Sequence, residues 1–110
     1  EWKRVIKLVD GYELTLHQPK TWDQKWRIIV FDIPNWKSKN RDAFRARIKE
    51  LGFRLVQKSV WVYPHECREQ IMILRKFYDI EKYVTYMEVI HSEDEDAWLL
   101  IFHTLNKKSE

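Results

Sequence analysis

Arg41, Arg45 and Lys49 recur every four residues in a stretch that reads as a helix, which places three cations on one of its faces. Cations in that arrangement suit the oxygens of a phosphate backbone, a contact that ignores base sequence and weakens with salt. Lys37, Lys39 and Arg54 extend the same neighbourhood. From Asn35 to Lys58 eight basic residues face only Asp42 and Glu50, a local balance of +6. From Asp79 to Asp96 seven acids face only Lys82, a balance of −6. The whole chain carries +3, so the distribution informs where the total does not. A chain polarised in this way can hold a polyanion with its first half or pair head-to-tail with a copy of itself. The plain alternative for the stripe is a solvated helix face partly paired with Asp42 and Glu50.

Other reactive side chains offer less. His65 and Cys67 are spaced as a metal pair, but no second cluster accompanies them, and His17, His91 and His103 show no ligand spacing. Zinc is not expected, and Cys67, on the apolar stripe of a helix, reads as core. A single cysteine forms no internal disulfide, which makes the cytoplasm the expected compartment. No apolar run approaches the roughly 20 residues of a membrane helix, so no membrane partner is expected. The chain opens Glu1-Trp2-Lys3-Arg4, without an initiator Met or an apolar signal core, and reads as a piece of something longer.

The elements that must position these residues follow from periodicity. With 110 residues there is room for one main domain, and two Gly and three Pro leave few loops. Residues 4–17 read as a hairpin turning at Asp10-Gly11, which needs an apolar neighbour because two strands alone are marginal. Residues 1–21 are expected to form this hairpin and a linker, a possible remnant of a winged-helix domain, and residues 22–110 the main domain. There Lys25–Ile33 reads as a strand, Ser38–Leu51 as a helix stopped by Gly52, and Phe53–Gln57 and Ser59–Tyr63 as two short strands. Pro64 to about Tyr78 reads as a second helix with Cys67, Ile71, Leu74 and Tyr78 on one face, and Lys82–Ile90 as a fourth strand. That order predicts an α+β fold, the ferredoxin-like split βαβ (βαββαβ), with an antiparallel sheet and both helices on one face. For the tail, Ser92 and Glu95 fit a capping box and predict a helix to about Leu105; a strand over Trp98–His103 is the alternative. The second sheet face is apolar and must meet a partner, another part of the chain or a ligand, with a sheet-to-sheet homodimer preferred over base stacking. Trp61, Tyr63 and Phe31 are expected in core or interface.

The series Lys25-Trp26-Arg27-Ile28-Ile29-Val30-Phe31-Asp32-Ile33-Pro34, Arg41-Asp42, Leu51-Gly52-Phe53 and Val56-Gln57-Lys58-Ser59-Val60-Trp61-Val62 resembles the central domain of PaaX-type transcriptional regulators. That domain is itself similar to CRISPR-associated Cas-two endonucleases. Leu14–Trp26 resembles the passage by which such regulators leave their winged helix, which favours a regulator over a free-standing Cas-two protein. The resemblance implies a dimerisation and nucleic-acid-binding domain whose homodimer supports DNA reading by a winged helix. The Cas-two alternative implies a divalent-metal-dependent endonuclease, in which Asp32 from each of two protomers shares magnesium or manganese and an integrase subunit is a partner. On that alternative Asp32 is both the catalytic and the metal residue; otherwise it is a turn residue before Pro34. Ser59 matches the family serine, whose role looks like hydrogen bonding to backbone or phosphate, and no local His or Lys is spaced to activate it as a nucleophile. The expected contacts to a DNA or RNA backbone are therefore Lys37, Lys39, Arg41, Arg45, Lys49, Arg54 and Ser59. An RNA-binding sheet of RRM type is a third reading, opposed by the lack of the ribonucleoprotein signature.

Overall fold

A computed structural model describes residues 2–9 and 11–103. Within them lie three α-helices and two antiparallel sheets, a mixed α/β architecture. The first sheet is a hairpin of β1 (Trp2–Val9) and β2 (Tyr12–Gln18). Gly11 has φ of +85°, the left-handed backbone that its lack of a Cβ permits in the turn; Asp10, the other expected turn residue, lies outside the described residues. The second sheet contains β3 (Trp26–Phe31), β4 (Arg54–Gln57), β5 (Val60–Tyr63) and β6 (Val84–Val89), in the order β4-β5-β3-β6 with every neighbour antiparallel. Helix α1 (Ser38–Leu51) joins β3 to β4, and α2 (Arg68–Phe77) joins β5 to β6.

One core unites the sheet and both helices. Ile29 lies opposite Trp61 on β5 and Tyr86 on β6, and this face meets Phe44, Ile48 and Leu51 of α1 and Ile71 and Leu74 of α2. The expected α1 stripe is thus the buried one; of the stripe expected for the second helix, Ile71 and Leu74 are buried on α2, Cys67 is buried just before it and Tyr78, just after it, is partly buried. The hairpin adds Ile6, Leu14 and Leu16 to the same core, and the Gln70 side chain donates to the Thr15 carbonyl. The neighbour that the hairpin needs is therefore supplied by the chain itself. Helix α1 ends where the sequence marks it: Gly52 has φ of +118°, and a Cβ there would sit 2.6 Å from the Tyr63 ring.

Several boundaries differ from the sequence expectation: β3 stops at Phe31 rather than Ile33, and the larger differences lie farther along. Helix α2 begins at Arg68 rather than Pro64, because the Pro64 carbonyl accepts from Arg27 and the Glu66 carboxylate caps the Arg68 N–H at 2.8 Å. Strand β6 begins at Val84, after a 3₁₀ turn over Glu81–Tyr83. Ser59 lies in the turn between β4 and β5, not in a strand, with φ of +71°. In the tail, α3 (Glu95–Ile101) replaces the strand alternative for Trp98–His103, and residues 104–105 of the expected helix lie outside the described residues. The Ser92 hydroxyl accepts from the Asp94 N–H at 3.0 Å, one residue short of the capping-box partner.

Helix α3 answers part of the question of the second sheet face. Trp98 meets Trp26 edge-on at 5.3 Å, Trp26 meets Trp22 at 4.8 Å, and these rings with Val62 form a second, smaller core. At this end the face is covered by another part of the chain. Farther along, Met87, opposite Ile28, is exposed.

Candidate nucleic-acid interface

Asp32 follows the last residue of β3, and its backbone N–H donates to the Tyr83 carbonyl. The side chain is exposed and makes no hydrogen bond or ion pair among the described residues. It looks onto a groove of about 900 Å³. Arg41, Arg45 and Lys49 of α1, Arg54 of β4 and Ser59 of the β4–β5 turn line the same groove. The split between helix and hairpin explains the meeting. Four-residue spacing aligns the α1 cations, Gly52 turns the chain back into β4 with Arg54, and the β4–β5 turn brings Ser59 to the end of the sheet where Asp32 follows β3. Six of the residues singled out in the sequence are therefore brought together.

The charge inside the groove is lopsided. Four cations line it against one carboxylate, Asp32. Asp42, just outside, is shared by Arg41 at 3.2 Å and Arg45 at 3.7 Å. Lys49 sits 5.9 Å from the centre of the Trp61 ring, which gives an attractive contact but no neutralising charge. Arg54 is exposed and has no carboxylate partner among the described residues. Exposed ion pairs are worth about 0–1 kcal/mol, so Asp42 does not tie up either arginine.

Lys37 and Lys39 stand apart from this group. The Lys37 ammonium donates to the Asp79 carboxylate at 2.8 Å and to the Asp79 carbonyl, and this partnership holds the Asp79 carboxyl below its ordinary range. Lys37 is thus engaged at the far end of α2 and does not line the groove. Lys39 is exposed on the first turn of α1, also off the groove lining.

What sequence reasoning missed is mostly the apolar part. Phe31, Ile33, Phe53, Leu55 and Trp61 line the groove with Asn35. Leu55 was readable, since alternation within β4 puts it on the opposite face from Arg54 and Val56, but a four-residue strand with a register shift between Leu55 and Gln57 carries little pattern.

Sequence reasoning also missed a closed charge cluster at the other end of β3. Arg27 is buried, with Asp23 at 2.7 Å, Glu66 at 3.4 Å, Glu88 at 3.6 Å and the Pro64 carbonyl at 2.8 Å. Burial works against its charge, but the hydrogen bond and field of Asp23 outweigh that and raise its pKa. Asp23 is lowered in turn, chiefly by the hydrogen bond from Arg27. Beside this cluster His65 is buried with no partner for Nδ1, and burial with the Arg27 charge lowers its pKa. Burial pushes the Cys67 thiol up to about 12, so it is an inert core group. No three His, Cys, Asp or Glu side chains gather as a metal site among the described residues.

A mixed α/β domain with a cationic groove at one end of its central strand is the class that these features define. The family profile described as "PaaX protein central Cas2-like domain" matches residues 19–102, and the chain belongs to that family. No curated protein and no solved structure gives a significant match.

Proposed function

We propose that this chain is the ferredoxin-like domain of a PaaX-family regulator and that its groove binds the phosphate backbone of DNA. The βαββαβ order from β3 to β6 and the strand order β4-β5-β3-β6 support the ferredoxin-like reading. The observation that carries the binding reading is the groove itself, where Arg41, Arg45, Lys49 and Arg54 face one internal carboxylate. Such an excess is neutral only when an anion from outside occupies it, and the gain on binding is the release of that anion's counterions. Ser59 adds a hydroxyl donor to phosphate oxygen. A homodimer belongs to this reading, with exposed Met87, Ile90 and Leu100 as the apolar surface available to a second copy.

Magnesium or manganese does not fit this groove. The side-chain oxygen donors of one chain are a single carboxylate, Asp32, the Ser59 hydroxyl and the Asn35 amide, and the four cations around them oppose a divalent ion. No cleavage step is derived from it.

The test is a titration of labelled DNA over a range of salt. With four phosphate contacts the logarithm of affinity should fall with the logarithm of salt with a slope of about −3.6 on duplex DNA and about −2.8 on a single strand. Arg45→Ala with Lys49→Ala should reduce that slope by about half while leaving the unfolding midpoint in place. A slope near zero, or one unchanged by the double substitution, would sink the proposal.

A further inference from the structure

The groove has two kinds of wall, and a phosphate backbone uses only one of them. The cations stand on α1 and at Arg54, while Phe31, Phe53, Leu55 and Trp61 supply an apolar floor. Leu55 is 54% exposed within it and Phe31 is half-buried, while Phe53 and Trp61 are buried, so the part open to a ligand is Leu55 with the edge of Phe31. A duplex offers phosphates on its outside and keeps its base faces stacked, so it leaves such a floor bare. An unpaired nucleotide carries a phosphate for the cations and a free base face for the floor.

A second observation at the rim points the same way. Asn35 lines the groove, and the next residue, Trp36, is 74% exposed. An indole this open is normally mobile, but this one is braced. It sits in a 3₁₀ turn over Asn35–Lys37 that follows Pro34, and the Lys37 N–H donates to the Pro34 carbonyl at 2.9 Å. The Lys37 ammonium lies 5.3 Å from the centre of the indole and is itself held by Asp79. The partnership that takes Lys37 out of the groove therefore supports Trp36 from one side. An aromatic plate held in place one residue along the chain from the groove lining costs little entropy to use for stacking.

We propose that the groove takes single-stranded DNA, its phosphates on Arg41, Arg45, Lys49 and Arg54 and one base stacked on Trp36. This rests on the phosphate-binding reading above and adds to it the kind of strand. The intact chain is titrated with fluorescein-labelled oligo-dT of about 12 nucleotides, the matching oligo-U and a duplex of the same length, a span that suits one binding site. Oligo-dT should bind more tightly than duplex. Trp36→Ala should weaken oligo-dT about tenfold and the duplex less than about twofold, and Trp36→Phe should restore most of the loss. Lys37→Ala, which removes the brace and no groove cation, should weaken oligo-dT in the same direction by a smaller factor.

Tighter binding of duplex, or a Trp36→Ala variant that binds oligo-dT as well as the wild type, overturns the single-strand proposal. If Arg45→Ala with Lys49→Ala still weakens both DNAs in that case, the phosphate-binding reading stands alone. If that double substitution changes neither, the phosphate-binding reading fails as well. Tighter binding of oligo-U than of oligo-dT overturns the assignment to DNA. Trp36 is exposed, so its variants should keep the wild-type unfolding midpoint.

Discussion

The two ends of β3 carry charge clusters built on opposite terms. At the start, Arg27 is buried, and three carboxylates and two backbone carbonyls converge on it. Just past the end, Asp32 is exposed and faces four cations that find little else to neutralise them. Four residues, Ile28 to Phe31, separate the two along the chain. A charge withdrawn from water must be met by the protein itself, because the desolvation cost is several kcal/mol per ion. A charge left in water carries no such obligation, so an excess there is free to meet something from outside. On the proposed function, the first cluster belongs to folding and the second to binding. That division predicts different responses to substitution, pH and salt.

The largest effect should come from the closed end. Arg27→Met keeps the stem and removes the guanidinium, leaving the Pro64 carbonyl without its partner and Glu88 with only Arg68 at 3.3 Å and the Tyr86 hydroxyl at 3.1 Å. Asp23 and Glu66 are about half exposed and regain water, which reduces the loss. Urea unfolding should show a destabilisation of about 2–3 kcal/mol. Arg27→Lys should recover only part of it, since an ammonium cannot span Asp23 and the Pro64 carbonyl as the planar fork does. A loss under about 0.5 kcal/mol, the range of ordinary surface substitutions, would remove the distinction between the two ends.

Acid should act on the same end. The pKa of His65 is lowered in the fold from 6.5, so below that value the unfolded chain takes up the proton first. The stability associated with the neutral imidazole is complete above about pH 6.5 and is lost as pH falls toward the folded pKa, at no more than about 1.4 kcal/mol per pH unit for one proton. Asp23 and Glu88 are also lowered, Asp23 chiefly by Arg27 and Glu88 by hydrogen bonds and cations that outweigh burial. They add a second loss at lower pH, as the fold's carboxylates protonate. Unfolding followed from pH 8 to 5 should slope downward in the wild type and flatten in His65→Phe. An equal slope in both would assign the acid sensitivity elsewhere. The open end, whose charges stand in water, should respond to salt instead.

Most of this frame was readable from the sequence, and the exceptions have physical reasons. Helix α1 matched to the residue because its start, apolar stripe and glycine stop agree with one another. The start of α2 was misplaced because Pro64 and Glu66 make contacts that no local pattern encodes, the first with Arg27 from a distant strand. For the groove, helical spacing gave Arg41, Arg45 and Lys49, while Asp32 and Ser59 came through the family resemblance. Lys37 belongs to the same run of charge, but Asp79, far along the chain, holds it elsewhere. Arg27 was passed over inside an apolar strand because a buried cation is legible only through its partners, and these are spread from Asp23 to Glu88.

Ser59 supplies a smaller test on the open side. With φ of +71° it holds a left-handed backbone that costs a non-glycine residue roughly 1–2 kcal/mol, part of which glycine returns in the unfolded chain. Ser59→Gly should raise stability by about 0.5–1 kcal/mol. The same change removes the hydroxyl, so DNA binding should weaken about twofold to fivefold if that hydroxyl donates to phosphate. Gain in one and loss in the other is the signature of strain kept at a binding site. A gain in stability with unchanged binding would leave Ser59 as a turn residue only.

The finest distinction turns on Asp32, because the two roles for it predict opposite signs. In a groove that binds phosphate, its carboxylate is the one lining charge that repels the ligand. Asp32→Asn keeps the shape and removes that repulsion, so DNA should bind about twofold to threefold more tightly at low salt, with the advantage fading as salt rises. If Asp32 served a metal, the same substitution would abolish any magnesium- or manganese-dependent cutting and would not strengthen binding in their absence. Titration in chelator therefore isolates the electrostatic role. A weaker complex under those conditions has a third meaning, that the carboxylate holds the arginines in position and the open end is more internally partnered than its exposure indicates. In that event the contrast along β3 would be one of degree, with Asp32 acting toward the groove cations as Asp23 acts toward Arg27.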